Sequence, residues 1–269
     1  MNSLSKILSA VLCCAVVVAG CGGSSELDDS SQVRASVTAV YPTDLTDKVV
    51  LVWHFEVADG WHLYSPGRND SGYPPTVELV LPSGWKAGEL QWPAPERHLG
   101  EGDILDHVYY EGLVLLQEIA VPVDFEPNDG FEIQAEVSWL ACKGMCVPGD
   151  TEVVVKQLAG SQADYERARS DLPLPWPGEI LEAQWHGATL HITGPENAVL
   201  TFMPDNDCGR LENLIDDGVG AGLKLQFRPK EGLIGPARGL ITMDNPGEPR
   251  RSFNADIPAI SWQSETSGD

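Results

Sequence analysis

Two cysteines separated by three residues, Cys142 and Cys146, form the one clearly reactive constellation in the 269-residue chain. Of the other four, Cys13 and Cys14 sit in an apolar leader, Cys21 closes it, and Cys208 stands alone. Gly144 lies between the pair, where a tight reversal needs a permissive backbone. Such a reversal can bring the two α-carbons into disulfide range, about 4.4 to 6.8 Å.

Three chemistries compete for this pair. A structural staple is one, since disulfides persist outside the cytoplasm. Its energetic case is thin, because chain entropy for so short a loop gives only about 2 kcal/mol, against roughly 4.7 for a hundred-residue loop. Thiol-disulfide exchange is the second and the preferred reading: a pair at a hairpin tip is accessible to an attacking thiolate. Lys143 favours the thiolate there and the acidic body opposes it. The third is copper or zinc, but a closed zinc site would need two further ligands. The six histidines, His54, His62, His98, His107, His186 and His191, form no tight motif with the pair. No metal ligand or cofactor is assigned, and the staple and metal readings stay open as alternatives.

The elements that must position the pair are mostly strands. Leu51, Trp53, Phe55 and Val57 alternate with polar or outward residues, as do Phe131, Ile133, Ala135, Val137 and Trp139, which is half-buried strand periodicity. Further strands are expected at 33–40, 76–81, 113–123 and 151–158, separated by turn clusters such as Ser65-Pro66-Gly67-Arg68-Asn69-Asp70. Strands at this spacing read as a sandwich. Continuing the 131–139 alternation puts Cys142 on the outward face, with 141–150 as a hairpin loop and 151–158 as the return strand. Ser161 and Asp164 resemble a capping box, so 161–171 is predicted helical. The run Leu172-Pro173-Leu174-Pro175-Trp176-Pro177-Gly178 reads as an interdomain linker. Strands then resume at about 180–193, 197–203, 223–229, 234–243 and 252–258, and Cys208 is expected to be buried among them. The fold class is therefore all-β: a β-sandwich, a short connecting helix and linker at 161–178, a second, smaller β-domain at 179–262, and a disordered tail at 263–269.

The ends and the charge set the compartment. Residues 1–20 read as a secretory signal, too short to stay as a membrane span. Val18-Ala19-Gly20-Cys21 looks like the lipobox of bacterial lipoproteins, which makes Cys21 the expected lipidation site and 21–32 a flexible tether. Gly22, where an inner-membrane lipoprotein of enteric bacteria would carry aspartate, favours the outer membrane. A net charge of −23, from 40 acidic against 17 basic residues, repels phosphate backbones, so nucleic acid is not an expected partner.

Residues 33–160 also carry a resemblance. Asp59-Gly60-Trp61-His62-Leu63-Tyr64, Leu81-Pro82-Ser83-Gly84-Trp85, Trp92-Pro93-Ala94-Pro95, Tyr110-Glu111-Gly112 and Trp139-Leu140-Ala141-Cys142-Lys143-Gly144-Met145-Cys146-Val147-Pro148 run in the order of the N-terminal, immunoglobulin-like domain of the thiol:disulfide interchange family DsbD. The same blocks are similar to its ScsB-type relatives in copper tolerance, whose cysteine spacing this chain matches better. The resemblance implies an immunoglobulin-like sandwich with Cys142 and Cys146 as the redox pair of a protein-disulfide reductase component. It makes Tyr64, with its neighbour His62, site-lining. It further implies a cap loop from Asp106 to Glu111, with Tyr109 and Tyr110, shielding the cysteines beside Lys143. Implied partners are a thioredoxin-like or membrane reductase as electron donor, oxidised envelope proteins as acceptors, and the lipid bilayer through the anchor. The sequence holds no membrane conduit or thioredoxin domain of its own, so a borrowed reductase is expected.

Overall fold

The structure is a computed structural model, and it describes residues 32–262. The signal segment, Cys21 and nearly all of the tether, and the 263–269 tail, lie outside the described residues. Ten strands build the first half: β1 (Val33–Val40), β2 (Lys48–Val57), β3 (His62–Tyr64), β4 (Thr76–Val80), β5 (Lys86–Gln91), β6 (Glu96–Leu99), β7 (Leu105–Tyr110), β8 (Gly112–Ala120), β9 (Ile133–Cys142) and β10 (Cys146–Val155). They form a four-stranded sheet in the order β1-β2-β8-β5 and a six-stranded sheet in the order β10-β9-β3-β7-β6, with β4 also paired to β9. The pairings within both sheets are antiparallel. This is an immunoglobulin-like sandwich.

Period-two patterning explains the core. Leu51, Trp53 and Phe55 of β2 and Leu113 and Leu115 of β8 meet Ile133, Ala135, Val137 and Trp139 of β9 in one cluster. Aligned sheets bury such inward rows against each other. The Trp53 indole N–H donates to Gln117 Oε1 at 3.3 Å, and Gln117 Nε2 donates to the Gly88 carbonyl at 3.1 Å, so the polar groups carried inside are paired. On the opposite face of β2, Val50 and Val52 are also buried, because α1 (Gln162–Ser170) lays Tyr165 and Ala168 over them. The Ser161 hydroxyl accepts from the Asp164 N–H at 3.1 Å and caps this helix, the contact the sequence pair predicted.

The Pro-rich run that follows is stitched to the second half. Leu174 N–H donates to Ser252 O and Asn254 N–H donates to Leu174 O. Beyond it, strands Glu182–His186, Thr189–Thr193, Gly222–Phe227 and Leu211–Glu212 make one sheet. Strands Val219–Gly220, Val199–Pro204, Ala237–Asp244 and Arg251–Ile257 make another. Leu190, Ile192, Phe202, Leu225, Phe227, Ile241 and Phe253 fill the space between them as a separate core. The single strand expected at 180–193 is instead a hairpin, since Gly187 adopts a positive φ of 61° and reverses the chain. No helix among the described residues is long and apolar enough to cross a membrane.

Candidate functional site

Cys142 is the last residue of β9 and Cys146 the first of β10, and the two are paired across the ladder and joined by a disulfide with α-carbons 4.1 Å apart. The hairpin is much tighter than the ten-residue loop expected. Only Lys143, Gly144 and Met145 connect the strands: Gly144 takes φ 69°, and Lys143 N–H donates to Met145 O at 2.9 Å. Pro148 falls within β10 and is accommodated because β10 is an edge strand, where a missing N–H costs no ladder bond.

Strand alternation decides what surrounds the disulfide. His62 pairs with both Cys142 and Tyr110, and Tyr64 pairs with Val108. Directly paired residues share a face, so Cys142, His62, Tyr64, Val108 and Tyr110 lie on the outer face of the six-stranded sheet. Tyr64, Val108 and Cys142 form a small buried cluster, with Tyr110 and Leu140 packed on it. The His62 ring contacts Tyr64, Tyr110 and His98 at centroid separations of 5.3 to 5.5 Å, and Tyr110 Oη lies 2.7 Å from His98 Nδ1.

The two sulfurs are therefore unequal. Cys142 is 3% exposed, whereas Cys146 is an exposed residue beside Met145, itself 67% exposed. The expectation of an outward Cys142 holds for the direction of its side chain but not for its accessibility, because the aromatic cluster covers it. Tyr64 Oη lies 3.9 Å from Cys146 Sγ. Lys143 points back across the turn, its ammonium donating to the Asp59 carbonyl at 2.8 Å.

The expected cap loop is not a loop. Asp106 to Tyr110 belong to β7, an inner strand of the sheet, and only Glu111 turns, with φ 61°. Tyr109 falls on the other face of β7. It packs in the main core, stacks on Trp92 and donates to the Pro93 carbonyl at 2.8 Å, away from the cysteines. A continuous antiparallel pairing of β7 with both β3 and β6 absorbs the backbone that a loop would leave free.

The segment that does cover the aromatic cluster is 66–72, which the sequence marked only as a turn. Gly72, at φ 61°, rests on the Tyr64 ring so closely that a methyl group there would fall inside it. Ser71 Oγ is 3.3 Å from Tyr64 Oη and donates to Asp106 Oδ2 at 2.6 Å, while Ser71 N–H donates to Asp106 Oδ1 at 2.9 Å. Asp106, 2% exposed, is thus a buried carboxylate whose two oxygens hold this segment down. Sequence reasoning missed Ser71, Gly72 and His98, whose contacts with Tyr64, Asp106 and Tyr110 join segments separated along the chain.

Burial sets the local electrostatics. It pushes the Tyr64 and Tyr110 phenols up and, with neighbouring His98, the His62 imidazole down, because desolvation disfavours the charged forms. His62 is thereby held neutral near pH 7. Cys208 is a buried free thiol, pushed up chiefly by burial, and so is kept from reacting as a thiolate. Among the described residues no group of three or more His, Cys, Asp or Glu side chains is arranged to hold a metal ion.

The first ten strands thus form an immunoglobulin-like sandwich whose last hairpin carries a disulfide. Residues 31–158 match the family described as thiol:disulfide interchange protein DsbD, N-terminal. They form a DsbD N-terminal-like domain. The fold of the chain is similar to the crystal structure of the N-terminal periplasmic domain of ScsB from Proteus mirabilis. The TM-score is 0.59 at 14% identity, over 86% of this chain and 96% of that one. The reduced N-terminal domain of Neisseria meningitidis DsbD aligns at 19% identity over 46% of this chain and 86% of its own, with a TM-score of 0.31. No curated protein sequence matches.

Proposed function

We propose that this protein relays reducing equivalents in the cell envelope by thiol-disulfide exchange at Cys142 and Cys146. The observation that carries the reading is the asymmetry of the pair: one sulfur exposed beside an apolar Met145, the other buried under an aromatic cluster. In the reduced protein the Cys146 thiolate attacks a partner disulfide, forming a mixed disulfide and releasing the partner's second sulfur as a thiolate. Cys142 then loses its proton and attacks Cys146 Sγ. The Cys142–Cys146 bond re-forms, the bond to the partner breaks, and the partner leaves as a dithiol. A thioredoxin-like or membrane reductase resets the pair by the reverse exchange. In this reading Tyr64, His62 and Tyr110 wall the site, Asp106 holds its cover, and Lys143 fixes the turn between the cysteines to the Asp59 carbonyl. Lipidation at Cys21 keeps the body at the membrane facing the periplasm, with the outer membrane favoured. The sequence blocks shared with the DsbD family and the fold shared with a periplasmic domain support this reading.

The test is capture in cells. Cys142→Ala, which leaves the attacking sulfur without its resolving partner, is expected to accumulate mixed disulfides with envelope proteins, visible as reductant-sensitive bands on non-reducing gels. Absence of such bands for both Cys142→Ala and Cys146→Ala contradicts the proposal.

A further inference from the structure

The second β-domain reaches the disulfide through a continuous chain of hydrogen bonds. Arg68, in the 66–72 segment, donates from Nη2 to the Cys208 carbonyl at 2.9 Å and from its backbone N–H to the Pro204 carbonyl at 2.9 Å. Asn206 Nδ2 donates to the Pro66 carbonyl at 2.9 Å, and Gly67 sits against Pro204 O without room to spare. Pro66 to Arg68 are thus pinned to residues 204–208.

From Arg68 the order propagates toward the sulfurs. The Arg68 carbonyl faces His107 Nδ1 at 2.8 Å, and Asn69 Oδ1 accepts from His107 N–H at 2.7 Å. Asp70 Oδ2 accepts from Leu105 N–H at 2.8 Å. Ser71 is fixed on Asp106, and Gly72 lies on the ring whose hydroxyl approaches Cys146 Sγ. Such a run of linked polar contacts is coupled, so loosening one end loosens the other.

We propose that Arg68 is a positioning residue through which the second domain clamps the 66–72 segment over Tyr64, and thereby slows attack on the Cys142–Cys146 disulfide in the resting protein. A partner that displaces this segment frees the Tyr64 ring, which packs with the buried Cys142. The proposal deepens the redox reading of the same site and rests on it for its biological meaning, but the coupling itself is a property of this chain.

The experiment is the rate at which excess dithiothreitol reduces the disulfide in the intact oxidised protein, followed by quenched alkylation well below the unfolding temperature. Arg68→Ala is expected to raise this rate between about two- and tenfold, the range for the net contribution of a typical hydrogen bond. Arg68→Lys is expected to restore part of the difference. Asn206→Ala removes a contact from the second domain without touching the first, and is expected to raise the rate in the same direction. A merely structural role for Arg68 would lower the melting temperature without changing the rate under these conditions. An unchanged or slower rate in both Arg68→Ala and Asn206→Ala, with the fold intact, overturns the proposal. Partner capture in cells is independent of this readout: its failure removes the redox reading and leaves the coupling standing.

Discussion

His62 stands directly opposite Cys142 across the β3–β9 pair, and both are buried. Paired side chains on one face have Cβ atoms roughly 4.5 to 5.5 Å apart, which puts a neutral imidazole next to the sulfur that must lose a proton to resolve a mixed disulfide. Tyr64 shares its strand, His98 faces it from β6, Tyr110 and Asp106 from β7. His62→Phe preserves an aromatic ring but removes the proton acceptor. Its exchange rate at pH 7 is expected to fall by about a hundredfold if full general-base catalysis is lost, and its pH–rate profile to shift to higher pH. Stopped-flow exchange with a small disulfide checks this, and a profile identical to that of the parent protein argues against the role.

The unequal burial of the two sulfurs should appear directly in the reduced protein. Cys146 is expected to react with iodoacetamide roughly tenfold or more faster than Cys142, since reactivity follows exposure and thiolate character. Peptide mass spectrometry after a short pulse reads the ratio.

Two glycines separate strain from packing. Gly144 and Gly72 both have positive φ, but a side chain at Gly144 meets open space while one at Gly72 collides with Tyr64. Gly144→Ala is expected to cost about 1 to 2 kcal/mol, the backbone penalty alone. Gly72→Ala is expected to cost about 1 to 3 kcal/mol more through overpacking, and to speed reduction of the disulfide by lifting the segment from the ring. Denaturant unfolding and the dithiothreitol rate together check both.

Much of this architecture was legible because burial in a sandwich writes a period of two. β1, β2, β8 and β9 were visible as alternating runs, and Ser161 with Asp164 announced α1. β3, β6 and β7 were not: they are three to six residues long, and β7 is buried along nearly its whole length, which erases alternation. The same burial explains the mistaken cap loop. Asp106 and His107 look like loop residues in sequence, yet both are almost fully buried, Asp106 held by Ser71 and the His107 N–H and Nδ1 paired with Asn69 and Arg68. Those partners lie over 30 residues away, beyond any local pattern. That Cys142 and Cys146 could be joined was readable from their spacing, while the unequal burial of the two depends on the pairing of β3 with β9.

Stability should fall in mild acid. Burial pushes the His107 and His62 imidazoles down, so in the folded state they stay neutral where the unfolded chain, with an ordinary value of about 6.5, takes up protons. Below that value the unfolded state binds more protons, and stability is lost as the pH falls from about 6.5 toward the depressed folded-state values. Melting temperatures at pH 7.5 and pH 5.5 are expected to differ, the lower pH melting first. His107→Gln, even if less stable at both, should narrow the gap.

The reduction potential of the Cys142–Cys146 pair, measured by equilibration with glutathione redox buffers, is the most direct test of exchange against a structural staple. Exchange requires a potential above about −300 mV, within reach of envelope thiol partners. A value well below that marks an inert staple and contradicts a relay at this site.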